Sequence, residues 1–133
     1  VIRSLADHAL RTLRYHARDL DHGKVRSAGW RAVERGWLSS HNTCAACGGT
    51  ENLNVHHKLP FHLHPELELD PANLITLCMV KGRHCHIRIG HGDLFRNYNP
   101  DVVPDCELAI KAMEANDLAA FEAVAHNAKL KRL

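Results

Sequence analysis

The sequence predicts an α+β fold, with helices at both ends and short strands in a centre rich in cysteine and histidine. Three observations predict it. Apolar residues recur at helical spacing on either side of the centre. From Ser39 to about Gly92 the composition changes, and that stretch holds four of the five cysteines and most of the twelve histidines. Within it, Leu53 to Lys58 and Leu74 to Leu77 have the length and composition of short strands.

The elements follow in order. Over residues 2–20, Ala6, Leu10, Leu13, Ala17 and Leu20 alternate steps of four and three, so they form one apolar stripe. Arg11, Arg14 and Arg18 share another face, which is either a solvated surface or a phosphate-tracking stripe. Asp21-His22-Gly23 ends this helix. A second helix is expected from about Ala28 to Leu38, with Trp30, Val33 and Trp37 on one side. Those tryptophans suit a core better than a base-stacking platform, which must be exposed. Pro60 to Ala72 is too rich in proline and acid for regular structure and reads as a long loop. After Cys85 a turn or two of helix runs through Ile87 and Ile89. Asp105 is expected to cap a helix carrying Ala109, Ile110 and Met113. Asn116-Asp117 opens a last one with Leu118, Phe121, Val124 and Ala125 as its apolar face. Both final helices are assigned to packing.

The chain has 133 residues, 45% of them apolar and 24% charged, which suits one small domain with helical flanks. That composition excludes a disordered, collagenous or coiled-coil chain. No stretch approaches the roughly 20 apolar residues that span a bilayer, and no leader-like apolar run is visible, so a cytoplasmic protein without a membrane partner is expected. Net charge is only +2, but residues 1–36 carry 8 Lys and Arg against 4 Asp and Glu, and residues 37–133 carry 9 against 11. The basic surplus lies in the first quarter.

Five cysteines are an odd number, which argues against a closed disulfide framework. Cys44-Ala45-Ala46-Cys47-Gly48-Gly49 has the C-x2-C spacing at which two thiolates can point at one metal, and the glycines permit the tight turn. Cys78 and Cys85 lie about thirty residues on, and four thiolates would close a structural zinc site. Six residues separate that second pair, so His84 competes with Cys85 for the fourth position. A redox pair and unbound reduced thiols are the other readings. Cys106, alone beyond the cluster, reads as a core thiol.

His56 and His57 end the first strand, where neighbours point to opposite faces and so serve different jobs. Asn73 precedes the second strand, His86 follows Cys85 directly, and His91 comes five residues later. A lone histidine would carry little information. This ordered series, interleaved with a zinc-type cysteine set, carries much more.

At these residues the chain resembles the HNH endonucleases of the ββα-metal type, in the branch stapled by a zinc knuckle. The resemblance runs from about Trp30 to Asn99. It rests on Trp30-Arg31-Ala32-Val33, the knuckle at Cys44 and Cys47, the run from Leu53 through His56-His57-Lys58 to Phe61, the run from Leu69 through Asn73 to Cys78, Cys85-His86, and the tail Gly90-His91-Gly92 with Tyr98-Asn99-Pro100. The tail is similar to small phage and bacterial members.

The resemblance implies a ββα-metal finger with a structural zinc knuckle, flanked by N- and C-terminal helices. Residues 1–26 would be a basic helical extension, 27–100 the nuclease domain, and 101–133 helices packing on the core. It implies a metal-dependent DNA endonuclease that nicks or cuts duplex DNA, working in a bacterial or phage-infected cell, alone or with a targeting or packaging partner protein. His57 would be the general base. His56 and His86 would hold one catalytic divalent ion, Mg²⁺ or Mn²⁺, and His91 would complete its sphere or bind phosphate. Its interval of five from His86 departs from the four common among related sequences. Asn73 would fix the loop and orient His57 through a hydrogen bond. Cys44, Cys47, Cys78 and Cys85 would hold the structural Zn²⁺. Lys58, Arg83 and Arg88, near the cleft in sequence, are candidate DNA phosphate contacts. The competing reading is a non-catalytic, zinc-stapled DNA-binding module.

Overall fold

The structure is a computed structural model, and it describes residues 26–133. The helix expected over residues 2–20 lies outside the described residues. Within them the chain is a mixture of helices and one two-stranded antiparallel sheet, in keeping with the expected α+β class.

Helix α1 spans Trp30–Ser40. It begins two residues later than the apolar spacing suggests, because Ala28-Gly29 make a turn closed by the Trp30 N–H on the Ser27 carbonyl at 3.1 Å. Strand β1 is Leu53–His57 and β2 is Leu74–Cys78. They pair antiparallel, with Leu53 opposite Cys78 and His57 opposite Leu74. Side chains alternate across a strand, and this alternation sorts the site residues. Val55 packs with Trp30 and Leu74 beneath α1, where Val33, Trp37 and Leu38 close the small cluster. His57 lies on that face too, its ring centroid 4.8 Å from that of Trp30. Asn54 and His56 face the opposite way. Trp37 sits in this half-buried packing, with its indole N–H donating to Thr76 Oγ1 at 2.9 Å, so both tryptophans are packing residues.

The expected loop between the strands is a loop, tightened by single 3₁₀ turns at Pro65–Leu67 and Pro71–Asn73. Proline opens each turn, where its fixed φ is already suitable and its missing N–H is not needed. The helical turn after Cys85 is a π-helix over His86–Gly90.

Helix α2 covers Val102–Glu114, starting three residues before the expected cap at Asp105. Pro104 fits the first turn, which lacks an N–H acceptor in any case. Asp105 is thereby freed for another job. It is 6% exposed and accepts Asn99 Nδ2 at 2.7 Å and Lys131 Nζ at 2.9 Å. Helix α3 spans Leu118–Lys131 and is capped as its sequence predicts, Asp117 accepting the Ala120 N–H.

The main core joins the cysteine cluster to Leu77 and Ile89 and to the inner faces of α2 and α3, including Cys106, Ala109, Phe121 and Val124. The last two helices therefore roof the knuckle and the π-turn. Among the described residues no helix is long and apolar enough to cross a membrane.

Candidate metal centre

The four cysteines converge from three places: the knuckle loop, the end of β2, and the residue before the π-turn. Cys44 N–H donates to the Gly49 carbonyl and Gly48 N–H to the Cys44 carbonyl, both at 2.8 Å, which curls the loop so that both thiols face inward. Gly48 has φ of 74°, a left-handed conformation glycine adopts without cost. Ala45 N–H then ties the loop to the Thr76 carbonyl of β2 at 2.9 Å. All four sulfurs lie within 4.8 Å of one another, and Cys47 Sγ is 3.7 Å from Cys78 Sγ. A tetrahedron built on zinc–sulfur bonds of about 2.3 Å has edges of about 3.8 Å. The four cysteines could therefore hold a zinc ion. Cys85, not His84, is the fourth member of the cluster.

The thiols are not equivalent to one another. Cys44 is pushed down to about 5, first by the hydrogen bond from Cys85, while Cys47 is pushed up to about 11, first by burial. Cys85 is raised as the donor to Cys44. Without a cation the cluster accommodates one negative sulfur easily and resists more. Arg83 lies beside it, and the Cys47 charge raises its already high pKa.

The second cluster is His56, His86 and His91, whose ligand nitrogens also lie within 4.8 Å of one another. His56 comes from β1; the other two bracket the π-turn. An α-helix presents residues three and four apart on one face. A π-helix bonds each residue to the one five along, which brings that residue round to the same side. The interval of five between His86 and His91 is thus absorbed by the π-turn, and both rings face His56. Gly90 lets them do so: a Cβ there would stand 3.0 Å from His56 Cε1 and from Leu77 Cδ1.

Hydrogen-bond partners fix which nitrogen of each ring carries its lone pair. His86 Nδ1 meets the Asn54 amide oxygen at 3.2 Å, and His91 Nδ1 meets the Asn97 carbonyl at 2.7 Å. Both partners accept, so each Nδ1 carries the proton and each Nε2 the lone pair. Those two Nε2 atoms face each other at 3.2 Å. Two lone pairs do not bond each other, but the spacing suits two nitrogens on one ion, where bonds of about 2.0–2.1 Å give tetrahedral edges of about 3.3 Å. His56 is 1% exposed, and neither of its ring nitrogens has a hydrogen-bond partner. A cation would satisfy one of those nitrogens and leave the other without a partner. Burial, with the neighbouring histidines adding, holds His56 well below 6.5 and takes His86 to about 3; burial also lowers His91. All three imidazoles are neutral at physiological pH, the form that binds metal.

His57 stands apart from this trio but opens on the same cleft, a cavity of about 290 Å³ also lined by Arg26, Phe61, His62 and Phe95. Its Nε2 lies 2.9 Å from the Glu68 carbonyl, so Nε2 carries the proton and Nδ1 is left as the basic atom. Burial lowers its pKa, the Arg26 charge adds to this, and the Glu68 carbonyl opposes it. Asn73 does not orient His57 directly. Its amide bonds the Leu59 N–H at 2.9 Å and the Leu59 carbonyl at 3.0 Å, clamping the loop beyond the strand, and the ring is held by Glu68 instead.

Lys58, Arg83 and Arg88 are not brought into the cleft. Lys58 Nζ donates to the Ala72 carbonyl at 3.1 Å, Arg83 serves the cysteines, and Arg88 pairs with Glu122 of α3. Four residues absent from the sequence-based set matter here: Asn54, Glu68, Asn97 and Arg26. Asn54 had a legible signal, since it lies two residues from His56 and so on the same face of the strand. Glu68 and Asn97 act through backbone carbonyls, to which side-chain identity gives no clue. In comparisons with family models, curated proteins and solved structures, the chain gives no significant match.

Proposed function

We propose that the protein is a metal-dependent DNA endonuclease of the HNH, ββα-metal kind, with a zinc-stapled knuckle. One observation carries the reading. Three neutral histidines converge on a point from which a fourth, oriented separately by a carbonyl, opens on the same cleft. A purely structural ion has no use for a neighbouring base in a solvent-reaching cavity. The ββα order of β1, β2 and the π-turn, and the paired His56-His57, add to it.

His56, His86 and His91 would hold the divalent ion. When bound, that ion would supply Lewis-acid stabilisation of negative charge on the phosphate and the leaving oxygen. Three imidazoles suit Mn²⁺ or another transition ion better than Mg²⁺, which prefers oxygen ligands. His57 Nδ1 takes a proton from water. The water oxygen bonds to phosphorus, the bond from phosphorus to the 3′ oxygen breaks, and the leaving oxygen is protonated from solvent. A neutral imidazole with lowered pKa is unprotonated and ready at neutral pH.

The test is cleavage of supercoiled plasmid with Mn²⁺ or Mg²⁺, wild type beside His57→Ala, each with an EDTA control and matched zinc content. Wild type is expected to nick, more strongly with Mn²⁺, and the variant to lose roughly 10²–10⁴-fold in rate. Two inert proteins that still bind DNA would hand the site to a non-catalytic, zinc-stapled binding module.

A further inference from the structure

His91 lies at the start of a stretch with little apolar packing of its own. Asp93, Leu94, Phe95 and Arg96 are all exposed. Ordering such a segment costs conformational entropy that its own contacts do little to offset. His91 must nonetheless turn its Nε2 toward that of His86, 3.2 Å away, if the two are to share an ion. The hold on this segment comes from α3 and the two residues after it.

Three consecutive residues grip the segment at three places. Arg132 Nη1 donates to the carbonyl of Gly92, the residue after His91, at 2.8 Å. Gly92 is pressed so closely on α3 that a Cβ there would stand 2.8 Å from the Ala128 carbonyl oxygen. Leu133 and Tyr98 exchange backbone hydrogen bonds, Tyr98 N–H to the Leu133 carbonyl at 3.0 Å and Leu133 N–H to the Tyr98 carbonyl at 2.9 Å. Lys131 Nζ donates to the Asp105 carboxylate at 2.9 Å, and that carboxylate accepts from the fully buried Asn99, which also donates to the Ile89 carbonyl at 3.0 Å.

The middle grip reaches the imidazole through one peptide group. The carbonyl that accepts His91 Nδ1 at 2.7 Å is that of Asn97, and the N–H of the same planar unit is the Tyr98 N–H bonded to Leu133. Fixing one end of that plane fixes the other, and an N–H so bonded makes its carbonyl a stronger acceptor. We infer that Lys131-Arg132-Leu133 form a clasp that sets the direction of the His91 ring, with Arg132 and Leu133 as positioning residues that govern the affinity of the histidine trio for a divalent ion. The inference rests on that trio as an ion site and not on the nuclease chemistry.

The experiment measures Mn²⁺ affinity of the zinc-loaded chain from the electron paramagnetic resonance signal of the free ion, in wild type, Arg132→Ala, Arg132→Lys and Thr76→Val. Arg132→Ala is expected to weaken Mn²⁺ binding by about tenfold, the low end for groups that support a metal ligand from behind. Arg132→Lys keeps a donor and should recover most of that loss. Thr76→Val loosens the fold on the α1 side of the sheet without touching the clasp, and should leave the affinity at the wild-type value. An unchanged affinity in Arg132→Ala would overturn the inference. So would an equal loss in Thr76→Val, which is what a general loosening of the fold produces. Should Arg132→Ala fail to fold, Leu133→Pro takes its place under the same two outcomes. It deletes the N–H given to Tyr98, and Arg132, with φ of −59° and ψ of 145°, already has the backbone that a following proline requires. A wild type that binds no Mn²⁺ would overturn the clasp together with the ion site. A wild type that binds Mn²⁺ but cuts no DNA would bring down the nuclease reading alone.

Discussion

At the scale of single residues, the site depends on groups that hold histidines rather than on histidines alone. Asn54 fixes the His86 ring by accepting from Nδ1. Groups behind a ligand of this kind typically govern 10–100-fold of metal affinity. Asn54→Ala should therefore weaken Mn²⁺ binding by about that factor with little change in melting temperature, as read by titration calorimetry. The lowered histidine pKa values have a second consequence. His56, His57, His86 and His91 all lie below 6.5 in the folded chain, His86 at about 3. Below pH 6.5 the unfolded chain takes up protons that the folded chain refuses. The stability due to the neutral rings is complete above 6.5 and is lost as pH falls, in the case of His86 down to about 3. One such group contributes a slope of up to about 1.4 kcal/mol per pH unit. Without added divalent ions, unfolding free energy should fall between pH 7 and 5, and His86→Gln should flatten that fall.

At the scale of elements, α1 is fastened to the sheet through one hydroxyl. Thr76 Oγ1 accepts from Trp37 Nε1 at 2.9 Å and donates to the His41 carbonyl at 2.7 Å. Thr76→Val keeps the shape and strands both partners, so it should cost about 1–3 kcal/mol in denaturant unfolding. The two strands and the last helix were legible in the sequence because each has a strong local cause: β-rich apolar runs for the strands, an Asp117 cap and a 3–4 stripe for the helix. The start of α2 was not, because Asp105 looks like a cap and is instead drawn inward by Asn99 and Lys131, which no local pattern reveals. The place of His91 was legible only as an irregularity. An α-helical ruler puts an interval of five on the wrong face, and the π-turn that corrects it follows from tertiary packing of Gly90 against His56 and Leu77. The cysteine set was readable from residue type and spacing, whereas the histidine ligands followed only from the family resemblance. The fastening of His57 by Glu68 was not, since it runs through a backbone carbonyl eleven residues away.

At the scale of the whole molecule, the cysteine cluster lies at the meeting of the knuckle, β2, the π-turn and both C-terminal helices. Cys44, Cys78 and Cys85 are each at most 1% exposed. Cys78→Ser should lower zinc content and melting temperature together, with zinc measured by elemental analysis. Cys85 and His86 are consecutive residues, one in each cluster. A single peptide unit therefore joins the two, so an ion that shifted the sulfur would also shift the imidazole. If both sites bind as proposed and the link couples them, the coupling is reciprocal: whatever factor zinc adds to the affinity for Mn²⁺, Mn²⁺ returns to the affinity for zinc. Couplings of this kind are typically about 5–150-fold, so Mn²⁺ titrations of zinc-loaded and zinc-depleted protein should differ by a factor in that range. With both proposed sites filled, a chelator chosen to strip one ion should loosen the hold on the other.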